Sequence, residues 1–398
     1  MLEGLRVVEM ATYIAAPSAG CMLADWGAEV IKIEPPGGDP IRNILKAMSG
    51  ADVDENPVFD LDNRGKRSLC IDVKTPEGAE AIRRLIAKAD VFITNVRPGA
   101  LGRVGLDWAS ISAAHPRLIY GSVTGYGLEG EERDRPGFDL AAFWARSGLA
   151  RLTVPKDMDP IPMRTAVGDH TTGIALAGGI VAALYEREKS GKGRLVETSL
   201  LRTGIYCLGS DMAVQLRFGR IASTRPRTQA INPINSFFKA GDGTWICVLT
   251  RHAEGDWRRL AKALGQPGLA DDPRFANTKA RKENATELTG ILDGIFASAP
   301  LEHWAEKLDA EDLVWAPVQT PAQVAADPQA EAAGAFVETE LAGGGTFRSV
   351  ATPVRFHGDE RHRFPPAPTP GEHNTQILSE IGYSPAEIAK LSAGGRIT

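Results

Sequence analysis

Along the first 200 residues, short apolar runs alternate with longer stretches of helical period. Residues 6–9, 30–34, 69–73, 91–95 and 118–124 are brief runs rich in Val, Ile and Leu. Runs of this length fit strands buried on both faces. Between them, residues 18–26 and 75–89 carry helical patterns. Thr75 is placed to cap the second of these, with Pro76 at the first helical position, where its missing N–H costs nothing. The alternation predicts an α/β class with a mostly parallel sheet covered by helices on both faces.

The pattern changes near residue 220. Residues 223–235 are rich in Arg, Pro and Asn and show no period, which reads as a linker. Two short strands around Gly241-Asp242-Gly243 then give a hairpin signal. Helical patterns follow over 254–264, 285–297 and 301–308. Beyond 320 come a helix over 321–332, strands around 336–356, a proline-rich stretch over 364–370 and a helical tail over 374–391. The expected organisation is a large α/β domain over 1–220, a linker over 221–235, a small α+β domain over 236–320, and a return over 321–398.

Composition narrows the class of protein. With 398 residues, 43% hydrophobic and 24% charged, the chain has the balance of a globular protein of two or three domains. A net charge of -5 gives no reason to expect nucleic acid or an anionic membrane as a partner. Cys21, Cys70, Cys207 and Cys247 form no C-x-x-C pair, so neither a disulfide framework nor a metal site is expected, and a reducing compartment fits. The first ten residues, with Glu3 and Glu9, do not read as a signal peptide. The apolar stretch over 173–184 is shorter than the ~20 residues that span a bilayer. A soluble, cytoplasmic protein is expected.

Gly125-Tyr126-Gly127-Leu128-Glu129-Gly130 fits the dinucleotide fingerprint. However, the acidic, proline-broken segment that follows, Glu131 to Pro136, cannot open a helix onto a pyrophosphate. It reads as a glycine loop, and no cofactor is expected. Neither a phosphate-binding P-loop nor a G-x-S-x-G elbow occurs in the sequence. Arg64, Lys66, Arg67 and Lys74 flank one strand; Arg97 and Arg103 follow the next, beside Asn95. At the carboxyl ends of an open sheet such cations suit a ligand with several phosphates. A solvated basic surface is an equal reading. Asp169 precedes the apolar helix over 174–185, where Gly178 and Gly179 allow close packing. Two roles stand open for it: an N-cap, or a carboxylate held ionised by the helix dipole and aimed at a cleft. His170 beside it is read as structural.

Ordered blocks across nearly the whole chain resemble the class III CoA-transferases, the family of formyl-CoA, carnitine and bile-acid CoA-transferases. They are Leu2-Glu3-Gly4-Leu5-Arg6-Val7-Val8, then Leu23-Ala24-Asp25-Trp26-Gly27-Ala28-Glu29-Val30-Ile31-Lys32-Ile33-Glu34, and Gly38-Asp39. Lys66-Arg67-Ser68, Asp72-Val73-Lys74-Thr75-Pro76-Glu77-Gly78, Asn95 with Pro98-Gly99-Ala100-Leu101 and Arg103, and Gly168-Asp169 continue the series. The resemblance implies a Rossmann-like large domain built from both chain ends, a small domain between them, and an interlocked homodimer. It implies that Asp169 is the catalytic carboxylate, attacking an acyl-CoA thioester and passing through an aspartyl-CoA thioester to a free carboxylic acid. Ile71, Lys74, Asn95, Val96, Arg103 and Arg135 match positions that hold CoA, a substrate rather than a cofactor.

Two departures separate this chain from the formyl-CoA branch. Pro35 stands where that branch has an arginine, and residues 223–235 lack its glycine-rich loop. The stretch from Arg135 to Gly148 is closer to transferases for 2-hydroxy, aromatic or bile acids, which makes a 2-hydroxy, aromatic or steroid acid the expected acceptor. An α-methylacyl-CoA racemase is the alternative on the same fold. That chemistry needs two proton carriers, and Gly137-Phe138-Asp139 stands where the racemases have Gly-His-Asp. A non-catalytic CoA-binding protein is the alternative of another class; Asp169 argues against it.

Overall fold

The computed structural model describes residues 1–49, 55–164, 166–358 and 361–397. Two units divide the chain. One holds Met1–Ala150, Ile161–Ile221 and Glu331–Thr398; the other holds Arg151–Pro160 and Ala222–Ala330.

In the first unit, β1 (Arg6–Met10), β2 (Glu29–Glu34), β3 (Arg67–Cys70), β4 (Val91–Thr94), β5 (Ile119–Thr124) and β6 (Leu195–Ser199) form one sheet in the order β3-β2-β1-β4-β5-β6. Every pairing in it is parallel. Because strand side chains alternate between faces, Val7, Val30, Ile93 and Ile119 enter one core with the helices Ala15–Asp25 and Val167–Ser190. Val8, Ile31, Leu69 and Phe92 enter the other, with the helix Pro76–Ile86 and the C-terminal residues Ile377, Leu378, Ile388 and Leu391. The Thr75 hydroxyl accepts from the Gly78 N–H at 3.1 Å, with Pro76 at the first helical position as its sequence implies.

Four carboxylate–cation groupings lie against this sheet, the first three buried and the last half-buried. Lys66 and Lys32 flank Glu9, with Nζ to carboxylate distances of 2.7 and 3.2 Å, and Lys32 also meets Asp39 at 2.9 Å. Arg64 is clamped by Asp25, and Arg42 binds both oxygens of Glu34 at 2.7 Å. Arg67 pairs with Glu29 and Glu380. The reading of Arg64, Lys66 and Arg67 as a phosphate site or a solvated face is therefore overturned. Their partners are carboxylates distant in sequence, and burial makes such pairing obligatory.

The helix Val167–Ser190 is long and apolar enough to cross a membrane, and longer than its apolar centre indicates. Here it lies along the helix Ala15–Asp25 and on β5 and β6. Gly179 meets Val196 closely, whereas Gly178 faces open space. Residues 125–138 run as turns, and the next helical element is a π-helical segment, Asp139–Ala145. The expected helix over 321–332 is two, Pro321–Ala325 and Pro328–Ala332, divided where Pro328 removes a helical N–H. The tail likewise forms Asn374–Glu380 and Pro385–Ala393 around Gly382 at φ 91°.

The second unit is built on an antiparallel sheet of β7 (Ser236–Lys239), β8 (Trp245–Leu249) and β9 (Val314–Pro317), with the hairpin at Gly241-Asp242-Gly243. Its core gathers Phe238, Trp257, Leu260, Leu288, Leu292, Phe296 and Trp304. A third sheet, β11 (Thr346–Val350), β10 (Phe336–Glu340) and β12 (Arg363–Phe364), belongs to the first unit.

Candidate active site

The strand order reverses direction between β1 and β4, and in open α/β sheets ligands collect outside the carboxyl ends of strands at such a point. Two cavities open there. One, of about 550 Å³, is lined by Met10 to Thr12 after β1, Ile33 to Pro36 after β2, Ile71 to Lys74 after β3, and Val96, Ala100, Leu101, Arg103 and Val104 after β4. The other, of about 80 Å³, holds Asp169 among Tyr13, Asn95, Thr124, Gly125, Gly137 and Phe138.

Asp169 reaches its cavity because two glycines seat the first turns of its helix. A Cβ on Gly168 would lie 2.5 Å from Phe143 Cγ, and one on Gly173 would lie 2.0 Å from Ser18 Oγ. Asp169 is the third helical residue and makes no cap bond; Ala166, at φ 74°, holds the cap position. The N-cap reading is thus replaced. It is Asp139 Oδ2 that accepts from the Ala166 N–H at 2.7 Å. Among the described residues no group donates a hydrogen bond to the Asp169 carboxylate, which stays free for chemistry. Tyr13 also has a positive φ, 64°, and its ring meets Phe138 edge-on at 5.2 Å. Strained backbone of this kind is held in place only by its surroundings and gathers at functional sites.

The electrostatics of the pocket are unusual. Burial pushes the Asp169 carboxyl up to about 7, Asp139 adds to the rise, and His170 opposes it. His170 Nε2 lies 3.1 and 3.3 Å from the two oxygens of the buried Asp62. Burial works against a charge on this imidazole, but the Asp62 contact outweighs it and its pKa is raised.

Of the residues carried by the sequence resemblance, Ile71, Lys74, Val96 and Arg103 line the larger cavity. Lys74 and Arg103 are exposed there and hold no ion pair among the described residues. Asn95 lines the Asp169 cavity, with its amide bonded to the Thr12 carbonyl at 2.6 Å and the Thr12 N–H at 3.1 Å. Arg135 lies at neither cavity; it pairs with Glu132 and sits over the Tyr126 ring. Tyr13 and Asp62 carry no sequence signal, and Asp139 shows only as the last residue of Gly137-Phe138-Asp139; the fold brings all three toward Asp169. Gly125 and Gly137 approach until a Cβ on the first would be 2.9 Å from the second's Cα, which explains the need for glycine in that loop.

Residues 2–374 match CoA-transferase family III. The chain is 35% identical to (R)-2-hydroxy-4-methylpentanoate CoA-transferase of Clostridioides difficile, over 98% of this chain and 97% of that one. It is 32% identical to cinnamoyl-CoA:phenyllactate CoA-transferase of Clostridium sporogenes, over 98% and 96%. The crystal structure of a CAIB/BAIF family protein from Brucella suis superimposes with a TM-score of 0.82 at 32% identity, over 96% and 99%. The fold, the carboxylate at the switch point and these similarities lead to one statement: the chain belongs to CoA-transferase family III and is a CoA-transferase.

Proposed function

We propose that the enzyme moves CoA from an acyl-CoA thioester to a 2-hydroxy or aryl-substituted carboxylic acid, with Asp169 as nucleophile. An Asp169 oxygen attacks the thioester carbonyl, and the C–S bond breaks to give a mixed anhydride and CoA thiolate. The thiolate attacks the Asp169 carbonyl, releasing the donor acid and leaving an aspartyl-CoA thioester. The acceptor carboxylate then attacks that thioester, and the returning thiolate opens the new anhydride at the acceptor carbonyl, regenerating Asp169. Covalent catalysis divides one difficult exchange into easier steps. Lys74 and Arg103 hold CoA phosphates, Ile71 and Val96 its apolar parts, and Asn95 the junction of the two cavities; Arg135 is assigned to CoA by resemblance alone. Backbone N–H groups of the loop beginning at Gly125 stabilise the oxyanions.

The observation that carries this reading is a carboxylate on the first turn of a helix with no hydrogen-bond donor among the described residues, beside a cleft whose exposed cations Lys74 and Arg103 have no ion pair among them. The aromatic wall of Tyr13 and Phe138 supports an acceptor with an apolar side chain. Phe138, which has no titratable group, supports transfer over racemisation. The enzyme is proposed to act as a homodimer in the cytoplasm, where its four cysteines, none in a disulfide, stay reduced.

Hydroxylamine tests the intermediate. Added with the acyl-CoA donor, it should convert Asp169 to a hydroxamate, seen by mass spectrometry of the peptide spanning the residue. Asp169→Asn should fold, bind CoA, lose nearly all exchange and remain unmodified. An active Asn variant, or a hydroxamate on another residue, would refute the mechanism.

A further inference from the structure

Three carboxylates converge on the first turn of the helix Val167–Ser190. Asp169 belongs to the helix, Asp139 holds its capping N–H, and Asp62 comes from the helix Pro57–Asn63. The second and third both raise the cost of a charge on the first. A nucleophile must nevertheless be ionised. The group that opposes them is His170.

We infer that His170, pinned by Asp62, is a positioning residue for the transfer: a fixed imidazolium that keeps the neighbouring Asp169 carboxylate charged. The inference rests on Asp169 being the nucleophile. Successive helical residues point about 100° apart, and the two side chains accordingly face different cavities. Asp169 lines the small cavity at the switch point. His170 lines a separate one of about 270 Å³, with Asp62, Ser18, Cys21 and Ile174. It does not border the reactive cavity, so it acts on the carboxylate through space and not on the substrate. Asp62 is suited to holding the cation: it is buried, and both its oxygens lie within reach of Nε2. The other ionisable groups acting around Asp62 are Arg64 and Cys21, and Arg64 is committed to Asp25.

The test is the pH dependence of kcat/KM for the acyl-CoA donor in the wild type, His170→Gln, His170→Lys and Asp62→Asn. Gln keeps a donor for Asp62 but carries no charge. Its acid limb should rise by about one pH unit, the size of effect a nearby charge exerts. The rate at pH 6 should fall about tenfold, while the rate at pH 9 stays close to wild type. Lys should bring the limb back toward the wild-type position. Asp62→Asn removes both the counter-ion of the imidazole and a carboxylate that itself opposes the charge on Asp169, so its limb should move less than that of His170→Gln. An unmoved limb in His170→Gln would overturn the inference, as would an equal loss at every pH, the mark of a merely structural residue. Hydroxylamine trapping in the same samples separates the two readings. A hydroxamate at Asp169 with an unmoved limb removes the role of His170 alone, and a hydroxamate elsewhere removes the nucleophile itself.

Discussion

At the scale of single residues, Asp169 is a destabilising feature, and its proposed role as nucleophile is what would retain it. Its carboxyl titrates near 7 in the folded chain, against 3.8 for an ordinary aspartate. The folded state therefore binds the proton more tightly than the unfolded state. That advantage is complete below the unfolded value and is lost as pH rises through 7, where folding must accommodate a charge. Asp169→Asn should accordingly unfold at higher temperature than the wild type at pH 8, by up to ~4 kcal/mol of added stability, with the gain gone near pH 4. Melting curves at the two pH values check this. Asp169 was legible in the sequence because a Gly-Asp pair ahead of an apolar helix announces a carboxylate at a helix start. The local pattern left cap and nucleophile open, because the cap turns on Asp139, 30 residues earlier, holding the capping N–H instead; the family resemblance alone favoured the second. The same limit misplaced Lys66 and Arg64. Glu9 and Asp25, their partners, are 57 and 39 residues away, and nothing in the local pattern distinguishes a buried cation from a solvated one.

Among secondary-structure elements, the strands with uniform apolar runs were readable, and so was the Thr75-Pro76 helix start. β6 was not: Leu195–Ser199 is two apolar residues followed by Glu, Thr and Ser and is only partly buried, so it lacks the continuous run of β4. The glycines explain more than the apolar residues do about how the helix Val167–Ser190 is seated. Gly168 is the sharper case, because the atoms that meet a Cβ there are the Cβ and ring of the buried Phe143. Gly168→Val should cost about 1–3 kcal/mol by overpacking. It should also depress exchange more than CoA binding, since it moves the Asp169 turn and leaves Lys74 and Arg103 alone. Chemical denaturation, with CoA titration on the same variant, would show both; a variant of unchanged stability and activity would mean the helix does not rest where it is described.

For the molecule as a whole, the helix Val167–Ser190 and the segment after it carry apolar side chains turned outward. Ile174, Val181 and Tyr185 are exposed on the helix, with Tyr206, Leu216 and Phe218 beyond β6. Apolar surface on this scale marks an interface more often than a free face, which is the physical support for the proposed homodimer. Sedimentation should give a particle of twice the chain mass that persists on dilution to nanomolar concentration; a stable, active monomer would exclude it. A mostly parallel sheet with helices on both faces could be anticipated from the alternation of strand and helix; the order of its strands could not. The outward faces could not, because a helix with an apolar stripe on each side reads in sequence like one that is simply buried.

The last described residues fold back onto the first domain's ligand edge. Ile397 bridges to Ile71, the Arg396 carbonyl accepts from the Asp72 N–H, and Ile377, Leu378, Ile388 and Leu391 complete the core beneath. A ribosome making this chain has therefore finished five of the six central strands by residue 124, and the sixth by 199, long before the loop at 71–74 acquires its support. The nascent protein must wait through roughly two hundred further residues with one face of its sheet incomplete. Loss of a short stretch from that distant region would then be felt not as a frayed end but at the threshold where CoA is proposed to enter.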